Sequence, residues 1–218
     1  MRLAAKDSVF TTIQGEGVNT GVPMHFVRFA GCNLRCPGCD TPLALDFGSG
    51  EEWSAMQVIE AMQKKKLYKK MNWMCITGGE PLLQHEAVRE LTHLLKQRDF
   101  KIAMETNGTL WMTEQVKKSI DWLVVSPKTA NVRELPLIPL ANEIKLVLRH
   151  SATISTHEEL EHTLSDIQAL NTHCAVSVQP WTTQSDPFNQ AAMDFAISCA
   201  KQFNVRLSVQ MHKLLKIQ

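Results

Sequence analysis

A C-x3-C-x2-C segment is the feature that most constrains this chain. Cys32, Cys36 and Cys39 follow the apolar stretch 26–31 and precede an Asp-Thr-Pro sequence. Cysteine thiolates hold iron–sulfur clusters, and three of them leave one iron of a cubic four-iron cluster without a protein ligand. The spacing therefore predicts a [4Fe-4S] cluster with one open iron, where chemistry can begin.

A structural zinc site is the main alternative for these cysteines. Zinc takes four Cys or His ligands, commonly from paired C-x2-C units, and the chain contains no second pair. Cys75, Cys174 and Cys199 are isolated in apolar stretches, which predicts small buried side chains rather than ligands or disulfides. The spacing thus favours a cluster over zinc.

Length and charge exclude several classes of protein. The 218 residues suit a single domain, here 1–218, slightly shorter than a complete β/α barrel of about 250 residues. With 23 basic and 22 acidic residues the net charge is +1, which favours small-molecule partners over nucleic acid or a membrane surface. Charges interrupt the first residues, and no apolar run reaches about 18 residues. We expect a soluble, cytoplasmic protein with reduced cysteines.

Apolar periodicity predicts alternating strands and helices. Strands are predicted at 24–29, 73–77, 100–105, 121–126, 143–148, 174–179 and 205–210. A helix is predicted from Ser54 to about Lys66, behind a Ser-x-x-Gln capping box. Three further helices are predicted on apolar stripes: Val88, Leu91 and Leu95; Leu160, Leu164, Ile167 and Leu170 behind the capping box 156–159; and Phe188, Ala192, Phe195 and Cys199.

The order of these elements predicts the fold class. Strand, helix and strand at this interval imply parallel pairing. The proline-rich stretch 135–139 predicts a loop that covers apolar surface. We therefore expect an α/β fold, an incomplete TIM-type β/α barrel with about six parallel strands.

Glycine-rich or polar turns follow several predicted strands. They are Thr77-Gly78-Gly79-Glu80-Pro81, Glu105-Thr106-Asn107-Gly108, Ser126-Pro127-Lys128 and Gln179-Pro180-Trp181-Thr182. Each alone also fits an ordinary turn between a strand and a helix. Because the carboxyl ends of barrel strands carry the active site, these turns are expected to form a cavity opposite the cysteine loop. The paired glycines would let a ligand lie against backbone amides.

Taken together, these motifs resemble a known family. The cysteine loop and the Gly-Gly-Glu-Pro turn are similar to the radical S-adenosylmethionine superfamily. The segments 12–17 and 207–213, with the Glu-Thr-Asn-Gly and Ser-Pro-Lys turns, resemble its 7-carboxy-7-deazaguanine synthase family, from about Phe10 to Gln218. The resemblance implies a lyase with a radical SAM core. Its reaction converts 6-carboxy-5,6,7,8-tetrahydropterin to 7-carboxy-7-deazaguanine and ammonia, in queuosine biosynthesis.

The resemblance also implies cofactors, partners and site residues. Cys32, Cys36 and Cys39 would hold the cluster, Thr41 would bind Mg²⁺, and no catalytic residue is implied beyond cluster and cofactor. S-adenosylmethionine would contact Gly38, Cys39, Asp40, Gly79, Ser126, Pro127, Lys128, Gln179, Pro180, Trp181 and Thr182, with Glu105 as an addition. The pterin would contact Ile13, Gln14, Gly15, Arg28, Thr77 and the terminal carboxylate of Gln218. Flavodoxin as electron donor and a homodimer are further implications.

Two of these residues have a chemical rationale of their own. The planar guanidinium of Arg28 can donate two hydrogen bonds to a carboxylate. The Thr41 hydroxyl is a hard oxygen ligand that suits Mg²⁺. However, Thr41 also precedes Pro42, and without the resemblance a helix N-cap is the favoured interpretation.

Two other functions stay open at this level. A radical activase would use the same cysteine loop to generate a glycyl radical on a partner protein, but it does not explain the 14–17 segment or the C-terminal motif. A zinc-stabilised nucleic-acid-binding module is disfavoured by the near-neutral charge and the single tyrosine. Consumption of carboxypterin by the protein would exclude the activase. Metal analysis that finds iron and no zinc would exclude the nucleic-acid-binding module.

Overall fold

A mostly parallel sheet organises the protein. The computed structural model describes residues 1–4, 7–64, 71–148, 154–182 and 189–217, and these residues form one sheet of ten strands. The strands are β1 (Arg2–Leu3), β2 (Val9–Ile13), β3 (Pro23–Phe29), β4 (Glu51–Glu52), β5 (Trp73–Gly78), β6 (Lys101–Thr106), β7 (Trp122–Val125), β8 (Glu143–Leu148), β9 (Ala175–Pro180) and β10 (Arg206–Leu207).

The strand order is that of an open barrel. It reads β10-β9-β8-β7-β6-β5-β3-β1-β4, and β2 also pairs with β3. Pairings from β3 through β5 to β10 are all parallel, whereas β1 and β2 pair antiparallel with β3, and β4 with β1. Consequently the parallel strands end at one edge. The predicted α/β partial barrel is confirmed, with β3 and β5 to β10 as its parallel strands where about six were expected.

Helices connect most of the successive parallel strands, except that 3₁₀ turns join β7 to β8, and the last helix follows β10. They are α1 (Ala55–Gln63), α2 (His85–Lys96), α3 (Glu114–Ser119), α4 (His157–Leu170), α5 (Gln190–Phe203) and α6 (Met211–Leu215). Both predicted capping boxes are present, at Ser54 with Gln57 and at Thr156 with Glu159. Each satisfies backbone N–H groups that the first turn of a helix leaves without partners.

Apolar faces of the helices pack on the sheet. Val88, Leu91 and Leu95 of α2 are fully buried in the same core cluster as Ile76 of β5 and Ile102 of β6. Their i, i+3, i+7 spacing places them on one helix face. The 135–139 loop also covers this core, as predicted. Its residues Leu137 and Ile138 are fully buried and belong to the same core cluster.

Some predicted boundaries were wrong. The strand expected at 205–210 pairs with β9 only at Arg206 and Leu207. Beyond it the Met211 amide donates to the Gly15 carbonyl (2.9 Å), so that the chain leaves the sheet for the loop after β2. The first helix ends at Gln63 rather than about Lys66. Residues 65 and 66, like Phe188, lie outside the described residues.

The isolated cysteines are largely as expected. Cys75 and Cys199 are buried, while Cys174 is partly exposed and its thiol lies 3.6 Å from the Asn171 carbonyl. Cys174 is therefore less buried than predicted. Among helices in the described part of the chain, none has both the length and the apolar composition that a membrane span requires.

Truncation of the α2 core face tests this packing. Leu91→Ala should lower the free energy of unfolding by about 2–5 kcal/mol, because it removes buried methyl groups and leaves a cavity. Glu90→Ala, on the exposed face of the same helix, is the matched control and should change it by less than about 0.5 kcal/mol. Urea unfolding followed by circular dichroism measures both, and equal effects would contradict the packing.

Candidate active site

A cavity opens where the parallel strands end. Its wall is built from the cysteine loop after β3, the turns after β5, β6, β7 and β9, and the loop after β2. The sequence-predicted residues that line it are Ile13, Gln14, Gly15, Arg28, Cys32, Cys36, Gly38, Cys39, Asp40, Thr41, Thr77, Gly79, Glu105, Ser126, Lys128, Gln179, Pro180, Trp181 and Thr182. Pro127 is buried and is not among the lining residues, and Gln218 lies outside the described residues.

The three loop cysteines are free thiols at this cavity. Cys32, Cys36 and Cys39 are each partly exposed and line its wall. The loop is held by hydrogen bonds from the Cys39 amide to the Cys36 carbonyl (3.2 Å) and from the Cys32 amide to the Leu45 carbonyl (3.1 Å). Burial raises the pKa of the Cys36 thiol, while the Lys128 ammonium acts in the opposite direction. The loop thus presents three sulfurs beside a cation.

These thiols do not form a ready site for a single metal ion. No three His, Cys, Asp or Glu side chains in the described ranges converge on a position for a single ion. A structural zinc needs four ligands around one centre. A cubic cluster instead takes each cysteine on a different iron, so its sulfurs stand apart. The described side chains thus present no four-ligand site of the kind that a structural zinc requires.

The Gly-Gly-Glu turn after β5 packs directly under the cysteine loop. The Gly79 amide donates to the Phe29 carbonyl (3.0 Å), and the Glu80 amide donates to the Gly31 carbonyl (2.8 Å). A Cβ on Gly79 would lie 2.2 Å from the Gly31 carbonyl oxygen and 2.5 Å from that of Ala44. Close approach of two backbones therefore requires this glycine, a reason that the sequence interpretation of a ligand-facing pair did not include.

Glu80 is a buried carboxylate that organises the next turn. It is fully buried and accepts hydrogen bonds from the Asn107 amide (2.8 Å) and from the Thr106 hydroxyl (2.9 Å). Burial raises the pKa of Glu80, and hydrogen bonds from the Asn107 and Leu82 amides act against this. The Asn107 side chain in turn donates to Asn33 Oδ1 (3.0 Å) in the cysteine loop. The β5, β6 and cysteine turns are thus joined.

A second carboxylate, Glu105 of β6, faces the loop after β2. Its Oε1 accepts from Gln14 Nε2 (3.0 Å), and its Oε2 accepts from the Thr77 hydroxyl (2.9 Å). Gln14 and Thr77 are both nearly buried, at 7% and 8% exposure. Three cavity residues that sequence reasoning took from separate motifs are therefore in direct contact.

Thr41 lies between a cation and an anion. Arg28 Nη1 donates to the Thr41 hydroxyl (3.3 Å), which donates to Asp40 Oδ1 (3.2 Å), and the guanidinium sits over the Phe10 ring at 5.5 Å. A single 3₁₀ turn does begin after Thr41, with Pro42 first, but the Thr41 side chain makes no capping bond. The N-cap interpretation of this hydroxyl was wrong, and the hydroxyl stays at the cavity wall.

The turns after β7 and β9 complete the wall around the cysteine loop. Lys128 Nζ donates to the Ser126 hydroxyl (2.8 Å). Burial lowers the pKa of Lys128, and the nearby Lys145 lowers it further. A Cβ on Gly38, whose φ is +67°, would lie 2.7 Å from Cζ2 of Trp181. The indole therefore packs directly on the cysteine loop.

A buried ion pair in the cavity was missed by sequence reasoning. Lys145 of β8 donates to Glu16 Oε2, and the two side chains are only 8% and 13% exposed. Burial alone would raise the pKa of Glu16, but Lys145 overcomes this and lowers it to about 2. Burial alone would lower the pKa of Lys145, but Glu16 overcomes this and raises it. A lysine within a predicted buried strand was the signal that could have identified this pair.

The C-terminal segment supplies two further unpredicted lining residues, Gln210 and His212. A Cβ on Gly15 would lie 2.4 Å from His212 Nδ1, so that the loop after β2 and α6 touch at a glycine. Burial lowers the pKa of His212, whereas Glu16 acts to raise it. The segment thus forms part of the cavity wall beside the loop after β2.

Comparison with known proteins gives matches over nearly the whole chain. A family model described as "4Fe-4S single cluster domain" matches residues 13–130. The 7-carboxy-7-deazaguanine synthases of Rickettsia prowazekii and Buchnera aphidicola are both 32% identical over 97% of this chain, and the matches cover 87% and 98% of theirs. That of Aquifex aeolicus is 31% identical over 99% of this chain and 95% of its own. The solved structure described as "Crystal structure of QueE from Escherichia coli" aligns with a TM-score of 0.72 at 26% identity, covering 97% of this chain and 94% of that one.

Removal of the Lys145 ammonium tests the buried pair. Lys145→Met should lower the free energy of unfolding by about 3–5 kcal/mol at neutral pH, since it leaves Glu16 buried and unpaired. The double variant Glu16→Gln, Lys145→Met should recover part of this loss. Chemical denaturation of the three proteins measures both effects.

The same variant should also change the dependence of stability on pH. In the wild type Glu16 has a folded-state pKa of about 2, so it stays charged near neutrality. Without Lys145, burial raises the pKa of Glu16 above its unfolded value. The folded state then binds a proton that the unfolded state releases. The loss of unfolding free energy caused by Lys145→Met should therefore shrink as pH falls from about 8 to about 5. A loss of unfolding free energy that does not depend on pH would contradict the pairing of Glu16 with Lys145.

Proposed function

This chain belongs to the 7-carboxy-7-deazaguanine synthase family, with a 4Fe-4S single cluster domain at 13–130, and we propose that the cavity described above is its active site. The protein is a radical S-adenosylmethionine lyase that converts 6-carboxy-5,6,7,8-tetrahydropterin to 7-carboxy-7-deazaguanine and ammonia in queuosine biosynthesis. The observation that carries the site assignment is the cavity itself. One wall holds three free cysteines, and the others hold the strand-end turns.

Cys32, Cys36 and Cys39 would hold the [4Fe-4S] cluster, because they are free, face one cavity and do not converge on a single ion. When bound, the cluster and S-adenosylmethionine supply the one-electron and radical chemistry of the reaction. The chain's own residues bind, orient and shield these groups. Lys128 contributes a positive charge beside Cys36 that suits the carboxylate of S-adenosylmethionine.

The remaining cofactor contacts follow the cavity wall. Gly38 of the cysteine loop packs against the Trp181 indole. Gly79 lies under the same loop, where its amide donates to the Phe29 carbonyl. We assign Gly38, Cys39, Asp40, Gly79, Glu105, Ser126, Lys128, Gln179, Pro180, Trp181 and Thr182 to S-adenosylmethionine, on their shared position along this wall. Pro127, which is buried behind the wall, would act by holding the turn rather than by contact.

The pterin subsite is proposed at the loop after β2. Gln14 and Thr77 are fixed by Glu105 and would present hydrogen-bonding groups to a ring edge. Arg28 uses one N–H on Thr41, which leaves further guanidinium donors for the substrate carboxylate. Residues 13–15 line the same region. A contact from the terminal carboxylate of Gln218 remains a prediction, since that residue lies outside the described ranges.

Magnesium is proposed at Thr41. Its hydroxyl donates to Asp40 and accepts from Arg28, so one lone pair remains for a hard cation. The guanidinium beside it would repel a divalent ion unless an anion lies between them. We expect the substrate carboxylate to take that role, which would make magnesium and substrate binding mutually dependent.

Several properties of the whole protein are also part of the proposal. The single sheet that runs from β4 to β10 supports one domain over 1–218. The three thiols gathered at the cavity, together with the isolated positions of the other cysteines, support a reducing compartment, here the cytoplasm. Reduction by flavodoxin and assembly as a homodimer are proposed from the resemblance alone. Size-exclusion chromatography with light scattering tests the dimer.

Anaerobic turnover is the direct test of this function. Reconstituted protein with S-adenosylmethionine, dithionite and carboxypterin should form the deazaguanine product. Cys36→Ala should reduce turnover to background and lose most iron, because the cluster loses one of its three ligands. Cys174→Ala, which changes a cysteine outside the cavity lining, is the matched control and should retain activity. An iron-loaded wild type that leaves carboxypterin unchanged would reject the assignment.

Substitution of Thr41 tests the proposed magnesium ligand. Thr41→Ala should lose most of the activation by added Mg²⁺, whereas Thr41→Ser keeps the hydroxyl and should retain it. Initial rates measured across a magnesium titration separate the two. The same magnesium response in Thr41→Ala and wild type would show that the ion binds elsewhere.

A further inference from the structure

Gln210 has every hydrogen-bonding position of its side-chain amide occupied. Its Nε2 donates to Glu16 Oε1 (2.6 Å) and to Asp40 Oδ2 (3.1 Å). Its Oε1 accepts from the Thr182 hydroxyl (2.5 Å) and from Lys213 Nζ (2.6 Å). An amide offers two N–H donors and two lone pairs, so this set of four contacts is complete. The side chain is also almost buried, at 8% exposure.

The charges around this amide allow one orientation. Glu16 and Asp40 carry carboxylates that accept hydrogen bonds, and Lys213 carries an ammonium that donates them. A flipped amide would set its oxygen against two carboxylates and its NH₂ against an ammonium. Such contacts are repulsive as well as unbonded. Gln210 is therefore locked as long as both carboxylates are in place.

The partners of Gln210 come from both proposed ligand subsites. Asp40 and Thr182 belong to the wall assigned to S-adenosylmethionine. Glu16 directly follows the pterin loop at 13–15 and is itself held by Lys145. The adjacent backbone adds another link, since the Met211 amide donates to the Gly15 carbonyl (2.9 Å). One saturated amide thus bridges the two sides of the cavity.

We propose that Gln210 is a positioning residue that couples the two subsites, so that S-adenosylmethionine strengthens pterin binding and the pterin strengthens S-adenosylmethionine binding. This inference rests on the proposed function. A ligand that contacts Asp40 and Thr182 holds both side chains in place, and the locked amide extends this order to Glu16 and the loop before it. The second ligand has less ordering left to do, and the effect is reciprocal by thermodynamic linkage.

Calorimetric titration of the anaerobic, cluster-loaded protein tests the coupling. Carboxypterin is titrated with and without saturating S-adenosylmethionine, in the absence of reductant so that no turnover occurs. For the wild type, S-adenosylmethionine should lower the Kd for carboxypterin by at least about fivefold. In Gln210→Met, which keeps the volume but removes all four hydrogen bonds, this ratio should fall below about twofold.

Two further variants make the result specific. Gln210→Glu keeps an acceptor for Thr182 and Lys213 but sets a carboxylate against Glu16 and Asp40, and it should also reduce the ratio. Gln115→Met makes the same exchange on the exposed face of α3 and should keep the wild-type ratio. Circular dichroism and iron content report on the fold and cluster of each variant. If Gln210→Met does not fold, Gln210→Glu decides.

The ratio of the two Kd values distinguishes coupling from support of the fold. A purely structural role would weaken both titrations equally and leave the ratio unchanged. A wild-type ratio near one, or a folded Gln210 variant with the wild-type ratio, would overturn the coupling and leave the proposed function intact. If the cluster-loaded wild type bound neither ligand, the proposed function would fail, and the coupling with it.

Discussion

Three thiolates on one short loop can cover three corners of a four-iron cube, and the cavity is built around that constraint. The fourth corner is useful only if it faces a space that other parts of the chain surround. The parallel sheet provides this space, because β3 and β5 to β10 end at one edge. The cysteine loop is then locked to its neighbours by backbone contacts such as Glu80 N–H to Gly31 carbonyl (2.8 Å).

The buried carboxylates at the cavity have ionic or hydrogen-bonding partners. Removing a carboxylate or an ammonium from water costs several kcal/mol, which is offset only when good partners are present. Glu16 has Lys145 and Gln210, while the buried Glu80 has amide and hydroxyl donors on three sides. A completed polar network of this kind fixes side-chain orientation, and orientation is what a reactive cofactor needs from its surroundings.

Features set by local pattern were predictable from the sequence. Both capping boxes, the α2 stripe and the strand that precedes the cysteine loop depend on residues within a few positions of one another. The cavity wall was also predictable, because parallel strands must end together. By contrast, Glu16 and Lys145 are 129 positions apart, and Glu16 and Gln210 are 194 apart. No periodicity links such residues, and only the order of the strands in the folded sheet brings them into contact.

Two predictions made from the sequence were wrong for a physical reason that they share. Thr41 precedes Pro42 as an N-cap would, yet its hydroxyl bonds to Arg28 and Asp40 and not to the backbone of the 3₁₀ turn. The run at 205–210 has strand propensity, but two of its side chains bind the loop after β2. The Ser208 hydroxyl accepts from the Gly17 amide (2.8 Å), and Gln210 Nε2 donates to Glu16 Oε1 (2.6 Å). Tertiary hydrogen bonds outweighed local preference in both places.

The proposed chemistry requires that one iron of the cluster has no ligand from the protein and binds S-adenosylmethionine. Electron paramagnetic resonance of the dithionite-reduced cluster, recorded with and without S-adenosylmethionine on oxygen-free protein, is the decisive measurement. We expect S-adenosylmethionine to change the spectrum of the reduced cluster, because it would coordinate the open iron. An identical spectrum in both samples would contradict it.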